Sequence, residues 1–247
     1  MTHQLFLGEP EAVASAVSGS SIRLDGDEGR HAAAVVRLRV GERFFVADGA
    51  GRRVLAEATA VDKASVVGRV VEVDDEPEPQ PRLVLVQALA KGDRDEQAIE
   101  AATELGVDEV VPWQAERSVV VWRPDRVARS LAKWSAVVTR ASKQSRRARM
   151  PLVSPPVDTR GLGERVREAA LTLLLHEDAQ EALAGVELPA TGDVLVVVGP
   201  EGGISEREVD LLVSASARPV RLGSTILRAS SAGPAALAVL SAAGRWR

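Results

Sequence analysis

Residues Val194-Leu195-Val196-Val197-Val198 run without a polar interruption into Gly199-Pro200-Glu201-Gly202-Gly203, and Ser205 follows with Glu208 three residues later. An apolar, β-branched run with no alternation reads as a strand buried on both faces, which is the situation of a parallel sheet. Ser205 and Glu208 make a capping box, so a helix is expected to begin there. Strand, glycine loop and helix start together can hold a small ligand beyond the carboxyl end of the strand. Glycines let the backbone approach closely, and the first turn of a helix offers N–H groups that have no partner within the helix. An ordinary tight strand-to-helix turn explains this one stretch equally well.

The surrounding chain has the same alternating character. Leu83 to Leu89 reads as a strand, followed by Lys91-Gly92-Asp93 and a helix with Ala98, Ile99, Ala102 and Leu105 on one face, closed by Gly106. Glu109 to Pro112 and Ser118 to Trp122 are expected strands. A long helix from about Pro124 carries Val127, Leu131, Trp134, Val138 and Ala141 at i, i+4, i+7, i+11 and i+14, a buried stripe. Leu171 to Leu175 ends at His176, and Pro219 to Leu222 passes into Gly223-Ser224-Thr225-Ile226-Leu227-Arg228. A last helix, rich in Ala and Leu, is expected to start near Ser230 or Ser231, either of which could cap it. This alternation is α/β with a mostly parallel sheet, whose ligands sit beyond the strand carboxyl ends. His176, the Gly199–Gly203 loop and the Leu222–Arg228 loop should therefore share one neighbourhood.

Residues 1–71 differ. Short β-like runs (Ser21–Leu24, Arg43–Ala47, Arg53–Ala58, Ser65–Val71) are separated by turn signals such as Asp48-Gly49-Ala50-Gly51, and a short helix is expected from Ala32 to Leu38. Such spacing suggests a small barrel or sandwich. Arg23, Arg30, Arg37, Arg39, Arg43, Arg52 and Arg53 could line one face of it; a solvated surface with scattered arginines fits as well. The segment from Glu72 to Arg82 holds five acids and three prolines, a stiff and self-repelling linker. The expected division is 1–73, a linker at 74–82, and a second domain at 83–247.

Composition closes off several chemistries. The 247 residues contain no cysteine, which excludes disulfides, thiolate metal sites and a cysteine nucleophile, and only His3, His31 and His176 could supply imidazole, so no metal is expected. The start shows no signal-peptide pattern and the apolar runs are strand-sized, so a cytoplasmic protein without a membrane span is expected. The formal charge is −4. Residues 1–82 carry 10 Lys/Arg against 14 Asp/Glu, and the remainder balances at 21 of each. RNA contact must then come from local patches rather than from the field of the whole chain. One such patch is the end of the long helix, where Arg140, Lys143, Arg146, Arg147 and Arg149 fall within ten residues that contain no acid. The helix dipole favours cations there, and phosphate binding is the other explanation.

Gly199-Pro200-Glu201-Gly202-Gly203, followed by Leu222-Gly223-x-x-Ile226-Leu227-Arg228, resembles the RsmE family, the 16S ribosomal RNA uridine-N3 methyltransferases of the SPOUT superfamily. So do His31-x-x-x-Val35-Val36-Arg37-Leu38, Lys91-Gly92-Asp93, Thr103 to Val107, Pro112 with Glu116-Arg117-Ser118, and Gln144-Ser145-x-Arg147-x-x-x-Pro151. The resemblance spans essentially the whole chain. It implies an N-terminal PUA-like β-barrel for RNA and a C-terminal SPOUT domain, an α/β fold whose last loops form a trefoil knot around S-adenosyl-L-methionine. It also implies a homodimer, with 16S rRNA of the small ribosomal subunit as partner.

Carried onto this sequence, the cofactor residues are His176, Gly199, Pro200, Glu201, Gly203, Leu222, Gly223, Ile226 and Leu227, and the RNA-binding residues are Arg30, Arg37, Lys143, Arg146 and Arg147. Arg228 is assigned to stabilise the uridine anion, with bracing of Glu201 as its other role. Glu201 and His176 are candidates for the general base, though shaping the pocket suits both better. Three departures stand out: Ala229-Ser230-Ser231 replaces the family's usual Thr-Glu-Thr or Thr-Glu-Ala, Lys143 stands where an acid is usual, and Ala101 where a lysine is frequent. A relative with another target nucleotide, or one that binds RNA without catalysis, is compatible with those changes. A Walker-type hydrolase is not, since the loop lacks the Gly-Lys-Ser/Thr ending.

Overall fold

Val194, Val196 and Val198 point to one side of their strand and Leu195 and Val197 to the other, and both sets are buried in separate apolar clusters. Leu83 and Leu85 divide in the same way from Val84, Val86 and Ala88 on the neighbouring strand. This is why neither run alternates with polar residues. The computed structural model describes residues 3–246, which fall into two units. One consists of residues up to Glu78 together with Ser142–Met150, and the other of Pro79–Ala141 and the residues from Pro151 onward.

The first unit contains β1 (Leu5–Leu7), α1 (Pro10–Ala14), β2 (Ser21–Leu24), α2 (Gly26–Arg30), β3 (Arg43–Ala47), β4 (Arg52–Val61) and β5 (Val66–Asp75). Its five-stranded sheet has the order β1-β3-β4-β5-β2. Only the β1–β3 pair is parallel. Two irregularities of register in the β4–β5 ladder bend the sheet around a core that includes Phe6, Phe44, Val46, Val54, Ala56 and Val70. The expected helix at Ala32–Leu38 is a π-helical turn, His31–Val36, running on from α2. The chain stays in β5 as far as Asp75 and the next strand opens at Arg82, so the connection between them is 76–81. Residues 142–150, which the sequence division places with 83–247, belong to the first unit.

The second unit contains β6 (Arg82–Ala88), α3 (Arg94–Glu104), β7 (Glu109–Gln114), α4 (Val127–Ser145, whose last turn belongs to the first unit), β8 (Leu152–Val153), β9 (Val157–Asp158), α5 (Thr159–Glu168), β10 (Leu171–Leu175), β11 (Asp193–Val198), α6 (Glu206–Ser214), β12 (Arg218–Val220) and α7 (Ala229–Gly244). Its sheet runs β12-β10-β11-β6-β7-β8, with β9 also on β7. Every pairing is parallel. One face is covered by side chains of α3, α4 and α7 (Ile99, Trp134, Leu237) and the other by α5 and α6 (Leu162, Leu212). Of the stripe expected on α4, Trp134, Val138 and Ala141 are buried, while Val127 and Leu131 in its first turns are only partly covered.

Two local expectations are corrected. Ser118 to Trp122 is not a strand: the amide of Gln114 donates to the Val120 carbonyl at 3.0 Å and accepts from the Trp122 N–H at 3.1 Å, replacing a sheet partner with a folded turn. Trp122 then meets Trp134 edge to face at 5.4 Å. At the start of α7 neither serine is the cap. Arg228 occupies that position with extended backbone (ψ 152°), and Ser230 and Ser231 lie in the first turn.

At the amino end of the sheet, Glu109 is almost wholly buried and is held by Ser154 at 2.6 Å, Arg82 at 3.1 Å and Arg165. Burial pushes its carboxyl up. The hydrogen bonds from Ser154 and Arg165 and the charges of Arg165 and Arg82 outweigh that effect and leave its pKa below the ordinary 4.5. A depressed carboxylate stabilises the fold fully above its unfolded pKa, and that stabilisation is lost as pH falls through the folded value. Glu109→Gln should therefore cost about 3 kcal/mol near neutrality, because Arg165 loses its charged partner and Arg82 is left with Asp193 alone. The gap between variant and parent should close as the pH drops below about 4.5. Urea denaturation at about pH 7, 5 and 3.5 measures this, and a gap independent of pH would rule the account out.

Candidate active site

The register of the strands brings three loops to one edge. Leu175 pairs with Val220, and Leu174 with Val197, so β12, β10 and β11 end side by side. His176 leaves β10 with its N–H donated to the Val220 carbonyl at 3.0 Å. The chain beyond β12, the turn at His176 and the Gly199–Gly203 loop thus lie at the carboxyl ends of three adjacent strands, as the sequence led us to expect. Helix α7 begins at the same edge. Gly233 packs against Leu85 and Val198, with space for a Cβ only 2.8 Å from a Leu85 methyl, while Arg245 at the other end bonds to the carbonyls of Pro81 and Gly106 at the amino ends of the strands. The helix therefore runs antiparallel to the sheet and delivers its N-terminus, with Arg228 as cap, to the loop edge.

The glycine loop is shaped by contacts on its own flanks. A Cβ at Gly199 would lie 2.5 Å from Ile204 Cγ1, so only glycine lets the buried Ile204 fold back on the strand end. Gly203 has φ +73° and donates to the Pro200 carbonyl at 2.9 Å, closing the turn. Ser205 caps α6 in the expected box: its hydroxyl accepts from Glu208 N–H at 3.2 Å, and Glu208 accepts from Ser205 N–H at 3.1 Å. Buried Glu208 also accepts from Glu116 N–H at 2.9 Å and from the Thr159 hydroxyl at 2.7 Å. Ser205 donates to Glu116 at 2.7 Å, and Arg117 donates to the Gly202 carbonyl at 3.2 Å. The loops after β7 and β9 thus brace the glycine loop.

Glu201 faces α3. One of its oxygens accepts from Lys91 N–H and from the Arg94 guanidinium, each at 3.1 Å. Burial would raise its pKa, but hydrogen bonds from its own N–H, from Lys91 N–H and from Arg94 prevail and hold it below the ordinary carboxylate value. Its cation is Arg94, not Arg228, and an acid held in this state is a poor proton acceptor. The His176 ring, half-buried, accepts from Asp178 N–H at Nδ1, 3.3 Å.

The loop after β12 has the opposite character. Among the described residues no backbone hydrogen bond is made by 222–227, Ile226 is 81% and Leu227 39% exposed, and nothing stands within 4 Å of where a Cβ at Gly223 would be. Leu222 is partly buried against the core and ties the loop down. Arg228 is exposed, and among the described residues its side chain has no partner. Unpaired backbone donors and acceptors beside apolar side chains suit a purine ring better than a polyanion. No group of three His, Asp or Glu side chains among the described residues could hold a metal ion. No helix among them is long and apolar enough to cross a membrane.

Arg30, Arg37, Lys143, Arg146 and Arg147, the cations assigned to RNA, all lie in the first unit. They are not equivalent there. Arg30 pairs with Asp27 at 2.5 Å, and Lys143, largely buried, reaches Glu28 at 2.5 Å and His31 Nδ1 at 3.4 Å. Arg37 and Arg146 both adopt left-handed backbone (φ 60°). Arg147 donates its N–H to the Ser142 carbonyl at 3.0 Å. The sequence reading missed Arg94 and Arg117 as supports of the glycine loop. An acid inside a ligand loop was the available signal for Arg94, since it calls for a cation.

The RNA methyltransferase domain family matches residues 76–241, and the RNA methyltransferase PUA domain family matches residues 24–71. The ribosomal RNA small subunit methyltransferase E of Mycobacterium bovis is 42% identical over 234 residues, 93% of this chain and 89% of that one. Its counterpart in Bacillus subtilis is 29% identical over 88% of each chain. The crystal structure of a ribosomal RNA small subunit methyltransferase E from Neisseria gonorrhoeae, bound to S-adenosyl methionine, matches with a TM-score of 0.85 at 28% identity, over 98% of both chains. A putative methyltransferase from Legionella pneumophila in complex with the same cofactor matches at 0.84 and 28% identity. With its two families in this order and a relative of that identity across nearly its full length, the chain belongs to the ribosomal RNA small subunit methyltransferase E family.

Proposed function

We propose that the chain transfers a methyl group from S-adenosyl-L-methionine to N3 of one uridine in 16S rRNA of the small ribosomal subunit. The observation that carries this reading is the loop 222–227, with its unpaired backbone and exposed Ile226 and Leu227, ending in an arginine that has no partner among the described residues. We take the cofactor contacts to be His176, Gly199, Pro200, Gly203, Leu222, Gly223, Ile226 and Leu227. The substrate sets the working compartment as the cytoplasm. The family resemblance further suggests a homodimer with a knotted cofactor site.

Bound S-adenosylmethionine supplies an electrophilic methyl carbon on sulfonium sulfur. This chain must hold the uridine N3 in line with that carbon and support the charge left when N3 loses its proton. The charge spreads onto the flanking carbonyl oxygens, where a guanidinium stabilises it, and Arg228, whose backbone is held at the start of α7 and whose side chain is free to meet the uridine base, fills that role. The first-turn N–H groups of α7 add a positive end to the same edge. Glu201, locked by Lys91 and Arg94, is poorly placed to act as the base, and His176, with Nδ1 turned to the Asp178 N–H, is assigned to shaping the pocket. Glu201 instead positions the glycine loop. A second reading draws on Ala229-Ser230-Ser231, where the family usually has an acid: a relative that binds RNA and leaves the uridine unmodified.

Mass spectrometry of 16S rRNA from a deletion strain should show one N3-methyluridine missing and restored by the wild-type gene; its persistence would remove the proposal and favour the second reading. Arg228→Ala should bind the cofactor normally by calorimetry while turnover falls about 100-fold or more. Near-normal methylation would end its assignment. Arg94→Met should weaken cofactor binding by roughly tenfold, about 1.4 kcal/mol, and leave kcat almost unchanged, since it removes a support of the loop and no reacting group. A loss confined to kcat would place Arg94 in the chemistry instead.

A further inference from the structure

Most arginines of the first unit already face an acid. Arg23 pairs with Asp25, Arg43 with Glu57, Arg52 with Asp75 and Arg53 with Asp74. A phosphate that takes such a guanidinium must displace a carboxylate and then sit beside it, so these pairs contribute little net attraction. The segment from Val35 to Val40 is different. Arg37 and Arg39 are exposed, and among the described residues neither side chain has an acidic partner. Between and beside them Val35 is 70%, Val36 37% and Val40 64% exposed, the largest run of bare apolar side chains in this unit.

This tip is held firmly from beneath. The π-helical turn ends at Arg37 in left-handed backbone, where Leu38 N–H returns to the Ala32 carbonyl at 3.0 Å and the Leu38 side chain is buried. Glu42 accepts from Arg39 N–H at 2.9 Å, and Gly41 N–H is donated to the Ala58 carbonyl at 2.8 Å. Exposed valines cost solvation and π-helical turns cost regular hydrogen bonding, so a fixed loop carrying both is arranged for a partner rather than for stability. Two unshared guanidiniums interleaved with apolar side chains match single-stranded RNA, which offers phosphates together with the faces of unstacked bases.

We propose that residues 35–40 form the RNA-docking tip of this chain, with Arg37 and Arg39 on phosphates and Val35 and Val40 against unstacked bases. The inference rests on rRNA being the substrate, yet it is independent of which nucleotide is methylated. The test is a salt titration of binding to unmethylated small-subunit RNA. Arg37→Gln with Arg39→Gln should weaken binding about tenfold or more near 0.15 M salt and reduce the slope of log K against log salt by about 1.5, two phosphate contacts' worth. Val35→Ser with Val40→Ser should weaken binding severalfold at every salt concentration with the slope unchanged. Arg23→Gln with Arg43→Gln, both acid-paired, should stay within about twofold of wild type. An unchanged circular dichroism spectrum and thermal unfolding profile in each variant establish that the first unit, which carries all of these substitutions, is intact.

An unchanged slope in the Arg37/Arg39 variant, or an equal loss in the Arg23/Arg43 control, overturns the proposal. So does a change of oligomeric state in the Val35/Val40 variant by light scattering, which would assign the valines to a second copy of the chain. If the wild-type protein fails to bind small-subunit RNA at all, the functional reading falls together with the tip.

Discussion

One buried carboxylate sets the geometry on which the glycine loop depends. Glu208 accepts hydrogen bonds from Ser205 of its own helix cap, from the backbone after β7 and from the first residue of α5. A carboxylate out of water is tolerable only when its oxygens are met by donors, and here the three donors come from three separate loops. Each loop is thereby fixed relative to the others. The glycine loop must then leave β11 and enter α6 along a single path, with Ile204 folded into the space that Gly199 leaves open. The ligand edge of the sheet is rigid because a helix cap is shared, and the cap can be shared because Glu208 sits at its third position.

A second constraint follows from the direction of α7. The last helix runs back along the face of the sheet, so its N-terminus and its cap residue arrive where β10, β11 and β12 end. Proline at 234 removes one N–H inside that helix, yet Gly233 beside it permits contact close enough with Leu85 and Val198 to anchor the turn. Arg228 is therefore delivered by packing many residues away. The loop before it stays open, since Leu222 alone reaches the core and 222–227 make no backbone bonds among the described residues. An arginine whose backbone is set by the helix start thus stands next to an open loop.

What the sequence disclosed was local. The capping box, the two-sided burial of β6 and β11, and the stripe on α4 depend on neighbours within a turn or a strand; the first two stand in the structure, and the stripe stands from Trp134 onward. The three-residue β1 escaped because so short a run carries no period. Ser118 to Trp122 misled because an apolar run next to a glutamine is indistinguishable in sequence from a strand, while the Gln114 amide folds it into a turn. The candidate site was legible as a set of loops and illegible as a set of pairings. Glu201 finds its cation 107 residues away and Lys143 its acid 115 residues away, separations at which sequence offers composition but no address.

That limit matters most for charge. The formal charge of −4 and the acid excess of the first 82 residues argue against a nucleic-acid surface when charges are only counted. Once folded, the acids are spent unevenly. Asp25, Asp27, Glu28, Glu57, Asp74 and Asp75 lie beside particular cations, whereas among the described residues no acid pairs with the Arg37 or Arg39 guanidinium, Glu42 being turned to the Arg39 N–H. Screening confines each exposed charge to about 10 Å at ordinary salt, so a phosphate responds to its immediate neighbours and hardly to the sum. Local neutralisation elsewhere makes the few unshared guanidiniums more selective: they are the places on that unit where a phosphate gains an ion pair without breaking one. An acidic chain can in this way hold RNA at a defined spot, and the acids help to define it.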